Sequence, residues 1–202
     1  MANGSVILLL DGATRELREA KLWDAIEERH LRDLETTWPA ALKELLARAP
    51  KSHREESSHW DWRDKVDRAR GAFGSQGYAV ECDQVTQAVM LVDLNRASRI
   101  PATKGESIVY VDYLEVAPWN RPPAPVPQFK GVGTFMMQVA IALSREMEFG
   151  GRVGLHSLSQ PEGFYLHCGM TELWRDPDYY YLKYFEMTAS QASNFMSKGG
   201  AK

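Results

Sequence analysis

Hydrophobic residues follow two different patterns along this chain. An apolar run at residues 5–10 predicts a buried strand, and apolar residues then recur at roughly helical spacing up to residue 72. After Gly77 they fall in short runs rich in Val, Ile and Tyr, which are typical of strands. The predicted helices are 16–49 with a break at Trp38-Pro39, 60–72, 131–149, 161–167 and 188–195, and the later strands are 78–81, 85–94, 107–116, 153–158, 171–174 and 179–184. This order predicts an α/β or α+β fold, in which helices cover a sheet.

Length, composition and net charge limit the kind of fold and the partners to be expected. The 202 residues suit one domain over 1–202, and 44% hydrophobic with 25% charged residues is typical of a folded globular chain. The net charge of −3 provides no broad basic surface, so nucleic acid is not an expected partner. The run at 5–10 is too short to cross a bilayer, so no membrane partner is expected either.

The cysteines and histidines give no sign of a structural metal. Cys82 and Cys168 are too few for a disulfide framework and form no Cys-x-x-Cys pair, which favours a cytoplasmic location. The polar side chains near residue 55 lack a metal-ligand spacing, and solvated residues are the simpler interpretation. These side chains are His53, Glu55, Glu56 and His59. The sequence therefore predicts no metal site.

A glycine-containing segment, Gln-Phe-Lys-Gly-Val-Gly-Thr at 128–134, lies between a predicted strand and a predicted helix. Amide groups at a helix start are unpaired and carry the positive end of the helix dipole, and two glycines let the backbone approach a bulky anion. This chemistry suits a pyrophosphate, with Lys130 adding positive charge. The segment is neither a P-loop nor the dinucleotide fingerprint, and alone it is equally consistent with an ordinary helix start.

Two further motifs give this segment a context. Leu-x-Val-x-Pro at 114–118 precedes it, and Phe-Tyr-x-x-x-Gly-Met at 164–170 follows it. With Gln-x-x-Gly-x-Gly at 128–133, the ordered set resembles the GNAT superfamily of acetyl-CoA-dependent N-acetyltransferases. The resemblance implies a mixed, mostly antiparallel central sheet with splayed middle strands, a cofactor-binding core at about 105–185, and a helical acceptor-side segment at about 14–72.

The resemblance also implies a set of functional residues. The pyrophosphate-binding loop would comprise Phe129, Lys130, Gly131, Val132, Gly133 and Thr134. The backbone of Val116 would pair with the pantetheine arm of acetyl-CoA, and Tyr165 would be the general acid that protonates the leaving thiolate. The family often has an Asn before its final helix; residues 156–161 contain none, and Ser159 or Gln160 is the candidate substitute.

The proton acceptor is less well defined by the sequence. A lysine-type amine is protonated at pH 7, so its proton must be removed before attack on a thioester. Glu115 is the first candidate base and Asp112 the second, although alternation along a regular strand would point them to opposite faces. A chain of water molecules is the remaining alternative. A lone strand histidine such as His156 is usually structural, with a position facing the acceptor as the alternative.

These inferences predict transfer of an acetyl group from acetyl-CoA to a primary amine by direct attack in a ternary complex. The acceptor would be a small molecule or a peptide, and a homodimer is left open. One alternative is a non-catalytic acyl-CoA-binding sensor on the same fold. Another is a partner-binding domain that uses residues 14–72 as its surface.

Overall fold

The computed structural model describes residues 3–50 and 55–199. The strands are β1 Gly4–Asp11, β2 Leu17–Trp23, β3 Ser75–Cys82, β4 Val85–Ala97, β5 Ser107–Val116, β6 Phe129–Lys130, β7 Val153–Ser157, β8 Thr171–Asp176 and β9 Leu182–Met187. The helices are α1 Glu28–Arg32, α2 Trp38–Arg48, α3 Trp62–Arg70, α4 Val132–Glu146, α5 Glu162–His167 and α6 Ala189–Gly199. A π-helical segment, Asp33–Thr37, joins α1 to α2. In this part of the chain no helix is long and apolar enough to span a bilayer.

The strands form one mixed sheet in the order β6-β1-β2-β3-β4-β5-β7-β9-β8. Antiparallel pairing joins β1 to β2 and β6, β2 to β3, and β9 to β7 and β8, whereas β5 pairs with β7 in parallel. The predicted fold class, a mixed and mostly antiparallel sheet with flanking helices, is therefore confirmed. The splay of the middle strands stays a prediction.

The contacts divide the chain into two compact units. The first comprises Met1–Leu91 and Tyr113–Met136, and the second comprises Val92–Asp112 and Met137–Lys202. One domain over 1–202 stays a prediction.

The core of the first unit is rich in tryptophan. Trp38 and Trp62, from α2 and α3, are buried together with Leu31 and Val89. Helix α3 begins where the Asp61 carboxylate caps the amide of Asp64, at 3.0 Å, and it presents Trp62 and Val66 to the core one turn apart. This packing holds α3 against the unit's part of the sheet.

The helix predicted from residue 16 onward is wrong over its first part, and among the described residues of the predicted helical segment at about 14–72 the disagreement is confined to this stretch. Residues Leu17–Trp23 form β2, which pairs with β1 on one side and with β3 on the other. The Leu, Arg, Glu, Ala and Lys of this stretch prefer helix only weakly, and ladders on both sides override that preference. The β1 strand is confirmed, but its predicted burial is wrong because Val6 and Leu8 are 63% and 59% exposed.

The last strand begins later than predicted. Tyr180 and Tyr181 adopt positive φ angles of 53° and 58°, which breaks the extended backbone, and β9 starts at Leu182. Tyr180 is 93% exposed, and a turn replaces the first part of the strand predicted over 179–184.

Strand β7 is the centre of the second unit. Its Gly154 lies between Tyr110 of β5 and Glu186 of β9. A Cβ atom at this glycine would lie 2.5 Å from Oη of Tyr184 and 2.8 Å from Cδ1 of Ile108. The close packing of these side chains therefore requires a glycine at this position.

Candidate functional site

The segment that connects β6 to α4 offers free backbone donors. Gly131 adopts a φ of +75°, and a Cβ atom there would meet no atom within 4 Å. Within residues 3–50 and 55–199, the amides of Gly131, Val132, Gly133 and Thr134 have no hydrogen-bond acceptor. Successive free amides at the positive end of a helix dipole form a place where an anion is stabilised.

The two residues just before the loop, which is defined here as residues 131–134, make other contacts. Phe129 is buried, and its amide donates to Oδ1 of Asn120 at 2.8 Å. Lys130 is half-buried and is paired with Leu10 of β1. The predicted cofactor-loop residue Phe129 therefore uses its amide within the protein, whereas the amides of Gly131 to Thr134 have no acceptor among the described residues.

The carbonyl of Val116, at the end of β5, accepts a hydrogen bond from Nε of Arg121 at 2.8 Å. The Arg121 guanidinium also pairs with Glu55 at 2.7 Å and lies 3.5 Å from Oε1 of Glu115. A carbonyl oxygen has two lone pairs, so Val116 retains the capacity for a second bond.

The Glu115 carboxylate is held by the tryptophan-rich core. Its Oε2 accepts a hydrogen bond from Nε1 of Trp62, and its Oε1 accepts one from Oγ of Ser57 at 2.8 Å. Burial raises the pKa of Glu115, and these bonds together with Arg121 oppose that rise. Glu115 is thus a positioned carboxylate with both oxygens engaged.

Asp112, in the second unit, has a different environment. It is half-buried, and no hydrogen bond or ion pair to its carboxylate occurs within the described ranges. Burial and the neighbouring Asp93 raise the pKa of Asp112 to about 6, against the opposing effect of Arg96. An aspartate of this kind is ionised at pH 7.5 and is free to accept a proton.

Tyr165 lies in α5 and is buried against Phe164 and Phe185, with ring centroids at 5.2 Å and 5.8 Å. Its hydroxyl has no hydrogen-bond partner in the part of the chain that the structure describes. Burial raises the pKa of Tyr165, which keeps the phenol protonated at neutral pH. Burial also raises the pKa of the neighbouring Cys168 to about 12, so its thiol is not a nucleophile at neutral pH.

A polar cluster that sequence reasoning missed surrounds His156 in the second unit. Nδ1 of His156 lies 2.6 Å from the hydroxyl of Tyr110, and Nε2 lies 3.1 Å from Oδ2 of Asp176. The ring of Tyr179 stacks on the imidazole at 4.0 Å. Only a lone histidine in a predicted strand indicated this cluster, because its members come from separate strands and a turn.

No group of three His, Cys, Asp or Glu side chains suited to a metal ion occurs among the described residues. His53, one of the polar side chains near residue 55, lies outside them.

No protein-family model matches the chain, and no curated protein matches it in sequence. Solved structures do resemble it. The GNAT domain of S. lividans PAT is 14% identical with a TM-score of 0.52, over 91% of this chain and 96% of that one. A GNAT-family acetyltransferase from Listeria monocytogenes is 12% identical with a TM-score of 0.51, over 90% and 99% of the two chains. An acetyltransferase from Thermus thermophilus is 11% identical with a TM-score of 0.50, over 83% and 96%.

The chain has the GNAT fold. The resemblance predicted from the three motifs is therefore confirmed at the level of the fold.

Proposed function

We propose that this protein is an N-acetyltransferase that moves an acetyl group from acetyl-CoA to a primary amine by direct attack in a ternary complex. The observation that carries the proposal is the set of unpaired amides from Gly131 to Thr134 at the start of α4. Three structures of similar fold are described as acetyltransferases or as a GNAT domain, which supports this class of reaction.

The residues of this loop fit the diphosphate of coenzyme A. Four consecutive residues have amides without an acceptor among the described residues, and the open space at Gly131 admits a bulky anion. Lys130 would add a positive charge, and the second lone pair of the Val116 carbonyl would accept a bond from an amide of the pantetheine arm. Acetyl-CoA, when bound, supplies a thioester whose carbonyl carbon is electrophilic.

Tyr165 supports the departure of the thiolate in this proposal. Its hydroxyl is protonated at neutral pH and has no protein partner in the described ranges, so it is able to donate to a developing negative charge. A buried donor of this kind interacts more strongly with a charge than one in water does.

The two predicted bases differ in the hydrogen bonds that their carboxylates already accept. Glu115 already accepts bonds from Trp62 and Ser57 and holds Arg121 near Val116, which favours a positioning role for its carboxylate. Asp112 has no such bonds within the described ranges. Both stay predictions from the sequence, and variants of each test them by the pH dependence of turnover.

Calorimetry tests the binding part of the proposal. We expect the protein to bind acetyl-CoA and to bind S-acetylpantetheine, which has the same thioester but no diphosphate, at least about 100-fold more weakly. Equal binding of the two compounds, or no heat with acetyl-CoA at millimolar concentration, would contradict the role of the loop.

A thiol-release assay with a panel of amines tests the transfer. Thiol release that depends on the amine supports the enzyme, whereas tight acetyl-CoA binding without transfer to any amine favours the acyl-CoA sensor. A peptide acceptor, a homodimer, a cytoplasmic location and the lack of nucleic-acid and membrane partners remain predictions.

A further inference from the structure

A cavity of about 190 Å³ opens in the second unit. Its lining combines tyrosine rings with guanidinium groups and comprises Asn95, Arg96, Ala97, Arg99, Tyr110, Tyr179 and Tyr184. Neither the predicted cofactor loop nor the predicted acid and bases contribute to it. The cavity is large enough for a small molecule of amino-acid size.

A hydrogen-bonded chain leads from this cavity into the protein. Asp176 can only accept a bond when ionised, so Nε2 of His156 carries the proton of the neutral imidazole and donates it. Nδ1 is then an acceptor, and the Tyr110 hydroxyl donates to it at 2.6 Å. Because the Tyr110 hydroxyl is the donor in this bond, the lone pairs of its oxygen remain available to a ligand at the cavity wall.

The imidazole in this chain is held in one orientation. Its side chain is only 3% exposed, and Tyr179 stacks on it with an angle of 4° between the rings. Asp176 is itself fixed by an ion pair with Arg99 and by the amide of Asp178 at 3.0 Å. A carboxylate that orients a histidine through a hydrogen bond also stabilises the imidazolium that forms when the ring accepts a proton.

Several titratable and charged groups face His156. Tyr110, Asp176, Tyr179 and Tyr184 contact or approach the ring from β5, β8, the turn after β8, and β9, and Arg96 and Arg99 lie farther away. Burial and the two arginines lower the pKa of His156, although Asp176 opposes them. The ring is therefore neutral at pH 7 and able to take a proton.

The guanidinium groups of the cavity retain free donors. Arg96 donates from Nε to Asp93 at 2.8 Å, and Arg99 donates from Nη1 to Asp176. In the described part of the chain, their remaining N–H groups have no acceptor, and the two side chains are 42% and 31% exposed. Planar guanidinium donors match a carboxylate, to which they are able to bind through two bonds.

We propose that this cavity binds the acceptor of the reaction, a small amine that also carries a carboxylate, and that Tyr110 passes the amine's proton to His156. The inference rests on the proposed acetyl transfer and names its substrate class and its proton acceptor. Arg96 and Arg99 bind the carboxylate, and the amine lies against Tyr110.

The bonds and protons of the transfer balance. The neutral amine attacks the acyl carbon, so a C–N bond forms and the C–S bond breaks. The surplus amine proton goes to the Tyr110 oxygen as the hydroxyl proton moves to Nδ1 of His156, and the departing sulfur receives a proton from Tyr165. Solvent then takes the proton from His156 and reprotonates Tyr165.

The proton pathway is tested with His156→Gln and Tyr110→Phe, and with His167→Gln as the matched control on an exposed histidine. We expect kcat/KM for thiol release to fall about 100-fold in the first two variants. We also expect the decline of kcat/KM at low pH to be shallower in both than in the wild type and the control, because only protonation of the free amine remains, with an unchanged Kd for acetyl-CoA. If both variants keep the wild-type pH profile, the pathway is refuted. Thermal melts check that the variants fold. If His156→Gln does not fold, the pH profile of Tyr110→Phe alone decides the outcome.

The substrate class is tested by binding, without acetyl-CoA. L-phenylalanine is compared with phenethylamine, and β-alanine with ethylamine, by following the backbone amide resonances of residues 95–99. We expect the carboxylated member of a pair to bind at least about tenfold more tightly, and Arg96→Gln to remove the difference. If each amine binds as well as its carboxylated partner, or if no compound shifts these resonances, the assignment of the cavity is wrong.

These measurements separate the two proposals. If acetyl-CoA does not bind in calorimetry while carboxylated amines shift residues 95–99, acetyl transfer is wrong and the cavity remains a binding site. If acetyl-CoA binds and thiol release depends on an amine, but neither cavity variant changes the pH profile, only the further inference fails.

Discussion

The indole nitrogen of Trp62 donates a hydrogen bond to the carboxylate of Glu115. This bond joins α3 to the end of β5, and Ser57 donates to the other oxygen of the same carboxylate at 2.8 Å. Arg121, 3.5 Å from Glu115, in turn donates to the carbonyl of Val116. The buried carboxylate therefore organises the backbone at which the pantetheine arm is expected to bind.

We expect Glu115→Gln to destabilise the fold by about 1–3 kcal/mol, because a glutamine has one acceptor oxygen for two buried donors. Denaturant unfolding measures this loss, with Glu146→Gln on the exposed face of α4 as the control. We also expect the variant to keep the decline of kcat/KM at low pH. A decline clearly shallower than that of the wild type would instead make Glu115 the base.

Gly131→Ala tests the anion-binding loop. Its φ of +75° is unfavourable for alanine by about 1–2 kcal/mol, so relaxation of the backbone would turn the free amides away from a bound diphosphate. Gly105→Ala is the matched control, since Gly105 has a φ of +90° and similarly open surroundings. We expect both variants to lose similar stability and only Gly131→Ala to lose acetyl-CoA affinity in calorimetry. Equal affinities in the two variants would argue against the loop.

Tyr165→Phe should reduce turnover by about 100-fold while leaving acetyl-CoA affinity nearly unchanged. The hydroxyl has no protein partner in the described ranges, so its removal should change the melting temperature little. Tyr181→Phe, on an exposed turn, is the control. Unchanged turnover in Tyr165→Phe would remove this residue from the acid role.

Asp112→Asn should stabilise the protein above pH 7. The pKa of this carboxyl is about 6 in the folded chain against an ordinary value of 3.8, because burial and Asp93 disfavour the charge. Between these values only the folded state binds the proton, so the wild type loses stability as the pH rises. The variant's advantage should be near zero at about pH 3.5 and about 3 kcal/mol at about pH 7.5. Unfolding in denaturant across this range checks it, and an advantage independent of pH would contradict the assignment.

The sequence correctly predicted the elements in which local side-chain preferences and tertiary packing favour the same structure. Strand β5 occupies the predicted residues Ser107–Val116, because alternating β-branched and aromatic side chains suit a strand. Helix α2 spans Trp38–Arg48 with Pro39 in its first turn, as the position of the proline indicated. In β2 the local preference and the tertiary pairing disagree, and the pairing with β1 and β3 determined the structure.

The candidate site residues also divide into those that a local pattern predicts and those that only the tertiary structure brings together. Gly131 and its neighbours are consecutive, so a local pattern was enough to predict free amides at the start of α4. The chain of Tyr110, His156 and Asp176 depends on the register that sets Tyr110 beside Gly154 and His156 beside Tyr184. No local pattern contains that register, and a lone histidine therefore gave only a weak signal.

Gly154 has a consequence for how this protein tolerates sequence change. Any larger residue there would collide with the Tyr184 hydroxyl, which donates to the buried Glu186 at 2.9 Å, and with Ile108. A residue larger than glycine at position 154 would therefore require smaller side chains at positions 108 and 184 at the same time. Tyr184 also lines the cavity, so such a replacement would alter the cavity wall as well.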